Sequence, residues 1–143
     1  MIRYVRIGFV ISKFKQLLSE RKSDYTTWVP IYCPAIRKYV FFNAGGFNHL
    51  RFKIDNTPRE PKIAMYKLGL LPLVRPVIHG ATKVEAYERR LAPVGGTRKK
   101  ILKEFEYWAI VETVGKQKTK IKVVLRKAVN GEKIYFWSVM KLS

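Results

Sequence analysis

Thr119-Lys120-Ile121-Lys122-Val123-Val124-Leu125-Arg126, then Asn130-Gly131, then Lys133-Ile134-Tyr135-Phe136-Trp137-Ser138-Val139 is the stretch whose reading decides the fold class. Its polar residues open at period two and lead into an apolar run, as a strand with one buried face requires. Asn130-Gly131 is the strongest short hairpin signal in the chain. Outward from this hairpin, Val84–Leu91 and Leu102–Thr113 are equally rich in β-branched and aromatic residues. With Lys120–Ala128 and Lys133–Leu142 they predict a meandering four-stranded antiparallel sheet. Between the first two of these segments, Pro93 to Lys100 reads as a long basic turn containing Gly95-Gly96 and Arg98-Lys99-Lys100.

The N-terminal half follows a different period. Val10, Ile11, Phe14, Leu17 and Leu18 recur at helical spacing, which predicts an amphipathic helix over Val10–Glu20. Trp28–Cys33 and Lys38–Asn43 read as two short strands ended by Gly45-Gly46. A further helical region begins near Phe47, and another is expected over Arg59–Leu68, with Thr57 as its cap and Pro58 at its first position. Pro72 and Pro76 restrict Leu70–Ile78 to a short helix or turn. The expected architecture is α+β: N-terminal helices packed on one face of the C-terminal four-stranded antiparallel sheet, in a single domain spanning 1–143.

Charge narrows the function. Among 143 residues, 29 Lys and Arg face 10 Asp and Glu, a net charge of +19. Hydrophobic residues at 48% exclude a disordered basic tail, so the charge belongs to the surface of a packed protein. Nucleic acid is the polyanion such a surface fits, because cations near phosphates release condensed counterions. A membrane surface fits less well, since the charge is spread along the chain and no run approaches a membrane span. Ser12-Lys13-Phe14-Lys15 interrupts the apolar stretch Ile7–Ile11 too early for a signal peptide, so a cytoplasmic chain, or one delivered into a target cytoplasm, is expected. With one cysteine, Cys33, and two histidines, no disulfide framework, metal site or cofactor is expected.

His49 lies in Gly46-Phe47-Asn48-His49-Leu50-Arg51-Phe52-Lys53, amid cations that favour its neutral form, as a general base requires. A lone histidine near a helix start is often only a cap or surface residue, so partners decide. The last hairpin offers Arg126, Lys133 and Ser138: cations and a hydroxyl on rigid strands suit the charge that builds on phosphorus when a 2′-hydroxyl attacks. Alone, Lys133 is more often a solvated strand end and Arg126 a phosphate-positioning or surface charge. Strict alternation sets Ser138 on the face of Phe136 and Met140, and Phe136 opposite Tyr135 and Trp137. Exposed rings of one such set can stack single-stranded bases. His79, before Gly80, reads as a helix C-terminal residue.

The early histidine, the Leu70-Leu71-Pro72-Leu73-Val74 stretch and the ending Gly131-Glu132-Lys133-Ile134-Tyr135-Phe136-Trp137-Ser138-Val139 together resemble the phage-associated branch of the barnase-EndoU-colicin-RelE nuclease superfamily, from about Trp28 onward. The resemblance implies an α+β nuclease that cleaves RNA without metal by 2′-hydroxyl transphosphorylation, often as a toxin neutralised by an acidic antitoxin or immunity protein. It implies His49, Lys133 and Ser138 as catalytic residues, and Arg126, near the motif, joins them as the expected cation that stabilises the phosphorane. Arg51, Lys53 and Arg59 are the basic residues it places near the site, and Arg98 and Lys99 of the basic turn join them as expected RNA contacts. The rival readings are a non-catalytic basic RNA-binding module and a basic adaptor for an acidic protein.

Overall fold

The computed structural model describes residues 2–94 and 101–142, with side chains from residue 11 onward. In chain order the elements are α1 (Ile2–Tyr25), β1 (Ile31–Cys33), β2 (Lys38–Phe41), α2 (Ala44–Arg51), α3 (Pro61–Leu70), a short turn of 3-10 helix (Leu71–Leu73), α4 (Val74–Gly80), β3 (Ala86–Val94), β4 (Ile101–Val114), β5 (Thr119–Ala128) and β6 (Ile134–Lys141).

The α+β class holds, and β3 to β6 form the antiparallel meander read from the pattern. The sheet nevertheless has six strands, not four, in the order β1-β2-β6-β5-β4-β3. The extra pair is the N-terminal hairpin, whose β2 runs parallel to β6 through Val40↔Ile134 and Phe41↔Tyr135. A parallel pairing across so much chain has no local sequence signature, because no hairpin turn announces it. Pro93 and Val94, expected in the basic turn, belong to β3; the rest of that turn, with Arg98 and Lys99, lies outside the described residues.

Helix boundaries also differ, with α1 starting at Ile2 rather than Val10 and α3 ending at Leu70 rather than Leu68. α1 continues well past Glu20, ending where Tyr25 buries its ring and donates its hydroxyl to the Asn43 carbonyl at 2.6 Å. α3 starts at Pro61 rather than Arg59. Thr57 does not cap it: its backbone N–H and hydroxyl both donate to Asp55 Oδ1, at 3.0 and 2.6 Å, while Pro58 bridges to Phe52. Pro61 takes the first helical position, where a missing N–H costs nothing.

The core lies between the helices and one face of the sheet. Leu68, Leu71, Val74 and Ile78 meet Ile110, Ile121, Val123, Leu125 and Phe136 there, all fully buried. Tyr25, Phe42 and Phe47 ring Phe136. Cys33 is buried on β1, where loss of solvent pushes its thiol up.

β2 ends at Phe41, so most of β6 lacks a strand neighbour on that side; helices cover it. Lys67 of α3 donates to the Val139 carbonyl at 3.2 Å, and the Tyr66 hydroxyl accepts from Lys141 N–H at 2.9 Å. α2 comes closest: a Cβ on Gly46 would stand 2.3 Å from the Phe136 carbonyl oxygen. Only a hydrogen fits. We expect Gly46→Ala to lower stability by about 1–3 kcal/mol, the usual cost of overpacking; thermal melts followed by circular dichroism check this, and an unchanged melting temperature would mean that α2 is not seated tightly.

Candidate nucleic-acid groove

The sheet's other face carries a groove that α2 overhangs. It has two lobes, of about 310 and 370 Å³, which share His49 and Trp137 as a common wall. Arg90, Tyr107, Lys122 and Ser138 line the first lobe; Asn48, Lys53, Asn56 and Arg126 line the second. Glu88 is the one carboxylate among the lining residues, and Arg90 already pairs with it at 3.0 Å.

A β-bulge decides what faces the groove. Val124 pairs with Ser138 and Leu125 with Phe136, so Trp137 is an extra residue on β6. After the bulge the alternation is reset. Phe136 points into the core as expected, opposite Trp137, but Ser138 does not share its face: with Trp137 and Met140 it lines the groove, 8% exposed.

His49 is held by local and distant contacts. Asn43 caps α2 by accepting from Gly46 N–H at 3.2 Å, and Phe47 and Leu50 anchor the helix in the core. Arg59 Nε donates to the His49 carbonyl at 3.1 Å. The imidazole lies flat on Trp137, ring centres 4.2 Å apart and planes 14° from parallel. Burial first, then the positive fields of Arg59, Lys67, Arg126 and Arg90, pushes its pKa from the ordinary 6.5 down to about 4. The ring is therefore neutral at physiological pH, with its lone pair free, and an anion that offsets the surrounding cations would raise its proton affinity.

Arg126 is the least satisfied cation in the groove. Its guanidinium carbon lies 3.5 Å from the centre of the Trp137 ring and 3.9 Å from that of Phe105. Such contacts contribute about 2 kcal/mol each when desolvated, whereas removing a guanidinium from water costs several kcal/mol. Burial lowers its proton affinity, an effect opposed by the adjacent Tyr107 hydroxyl. Among the described residues, Arg126 Nη1 and the Tyr107 hydroxyl are both buried without a well-aligned hydrogen-bond partner. Arg126 also has no carboxylate partner there. An anion entering the groove would supply what both lack.

The structure thus brings together His49, Ser138, Arg126 and Lys53, with Arg59 behind His49. It does not bring Lys133, which is exposed, sits 4.8 Å over the Phe41 ring and lines neither lobe. Lys133 precedes β6, where its ammonium meets Phe41 of β2. Arg51 also lines neither lobe; its guanidinium rests 5.1 Å over Phe52. His79 is exposed in the last turn of α4. Sequence reasoning missed Arg90, Tyr107, Lys122 and Lys67. Period-two alternation from Arg126 would have found Lys122, but Tyr107 and Arg90 need the cross-strand register, and Lys67 needs the packing of α3.

No family model matches the chain, and no curated protein or solved structure does either. The groove is therefore read from its own geometry. Among the described residues no three of His, Cys, Asp and Glu lie together as a metal cage would require, and no helix is long and apolar enough to cross a membrane.

Acid stability and NMR test the imidazole. The folded chain keeps His49 neutral down to about pH 4, while the unfolded chain binds a proton near 6.5, so unfolding gains a proton in that window. Stability contributed by the neutral ring is present above 6.5 and falls as pH drops toward 4. His49→Gln should flatten the stability curve there relative to the parent, and the His49 resonances should titrate near 4. Titration near 6.5 would show that the ring is solvated.

Proposed function

We propose that the chain is a metal-independent endoribonuclease of the toxin type, acting in the two-lobed groove and related to the nuclease superfamily that its sequence resembles. The observation that carries the proposal is a buried imidazole ringed by cations, beside the adjacent Arg126 guanidinium and Tyr107 phenol, which have no carboxylate between them and whose Nη1 and hydroxyl are not aligned on any hydrogen-bond partner among the described residues. Bound RNA would place a nucleoside in each lobe and the connecting phosphate at the shared wall.

His49 takes the proton of the 2′-hydroxyl, and the 2′-oxygen attacks phosphorus. Arg126, Tyr107 and Ser138 bind the oxygens on which charge accumulates. The bond from phosphorus to the 5′-oxygen breaks, leaving a 2′,3′-cyclic phosphate on one product and a 5′-hydroxyl on the other. The departing 5′-oxygen takes a proton from solvent and His49 gives up to solvent the one it accepted, so protons balance and nothing else is consumed. Arg90, Lys122 and Lys53 hold flanking phosphates. Lys133, expected in the catalytic set, has no part in this step. An acidic protein covering the groove would be the natural inhibitor.

One observation favours the rival of a non-catalytic RNA-binding module: no hydrogen bond orients the His49 ring among the described residues, only its stacking on Trp137.

Purified protein incubated with total RNA in chelator separates the two. Discrete fragments ending in cyclic phosphate are expected, with His49→Gln reducing the rate about 10²–10⁴-fold, the usual share of general acid–base catalysis. Because the free groove holds His49 neutral down to about pH 4, its protonation should leave kcat/KM flat from pH 5 upward. Salt-sensitive binding with intact RNA would leave only the binding module.

A further inference from the structure

The face that carries the groove continues across β6 onto β2 and β1. Tyr135 stands opposite Arg126 on one side and Phe41 on the other, and Tyr39 stands opposite Tyr32. Their rings form two close pairs, Phe41 with Tyr135 at 6.2 Å and Tyr32 with Tyr39 at 5.5 Å. Tyr39 is 58% and Tyr32 40% exposed, unusual for large rings with no core to fill. Cations accompany them: Lys133 over Phe41 and exposed Arg37 in the β1–β2 turn, while Lys38 shares the opposite face with Val40 and Cys33. Beside Lys133 and Tyr135 lies an open depression of about 480 Å³ along the Asn130-Gly131 turn, with Glu132 at its rim.

We infer that this aromatic and basic strip is a second nucleic-acid subsite, which binds the single-stranded RNA flanking the phosphate held in the groove. The inference rests on reading the groove as an RNA site. Three strand spacings separate Arg126 from Tyr32, roughly 14 Å, a span that a few extended nucleotides cover. Bases stack on the tyrosines while Lys133 meets a phosphate, the combination by which single strands are held without sequence preference. The strip gives Lys133 a binding role outside the chemistry. An acidic protein would find complementary charge here, but a run of rings flanked by single cations suits alternating bases and phosphates better.

The test compares a non-cleavable 2′-fluoro octanucleotide with the matching dinucleotide by fluorescence anisotropy. Tyr39→Ala, at an exposed position, should weaken octanucleotide binding about tenfold. Tyr39→Phe should restore it, and dinucleotide binding should not change. Equal octanucleotide affinity for parent and Tyr39→Ala overturns the inference, as does a parent that prefers polyglutamate to the octanucleotide. Cleavage of natural RNA is scored separately: intact RNA with Tyr39-dependent octanucleotide binding removes the nuclease and keeps the strip. Cleavage with Tyr39-independent binding does the reverse.

Discussion

The contact between Gly46 and the Phe136 carbonyl is the constraint on which the site depends. It lets α2 lie directly against the part of β6 that has no strand neighbour, and it fixes where His49 falls. A helix one methyl further away would lift the imidazole from Trp137 and reopen the sheet edge. The bulge at Trp137 is the complementary device. It keeps Phe136 in the core while turning both Trp137 and Ser138 toward the groove, which regular alternation forbids.

Adjacent cations on β5 show how the fold divides its charge. Lys127 points away from the groove, pairs with Glu106 at 3.2 Å and donates to the carbonyls of Ala128, Val129 and Gly131, tying the hairpin turn together. Arg126, next in the chain, faces the groove and has only aromatic rings for company. The structural cation is neutralised, and Arg126 in the groove is left in want of an anion. That arrangement is unfavourable for the free protein and favourable for a polyanion complex.

The far edge of the sheet is handled with charge. β3 has a strand neighbour on one side only, yet it carries Glu88, Arg89 and Arg90 and ends near Pro93, features that discourage pairing with another chain. Its ion pairs, such as Arg89 with Glu104 at 3.1 Å, are half exposed and add little stability. The groove is thus open between α2 and β3, with the aromatic strip leading out of it over β6 toward β1.

Local pattern alone determined the class of the protein. The four C-terminal strands, the helical N-terminal half and the basic surface were legible because strand and helix periods act over a few residues. His49 and Arg126 were legible as candidates from residue type and neighbours. The tertiary structure alone decided that the sheet has six strands, that Ser138 faces the groove and Lys133 lies outside it, and that Arg90, Tyr107 and Lys67 surround His49. Those outcomes depend on a parallel pairing, a bulge and a helix contact between residues far apart in sequence, and no short stretch of chain encodes which distant surface it will meet.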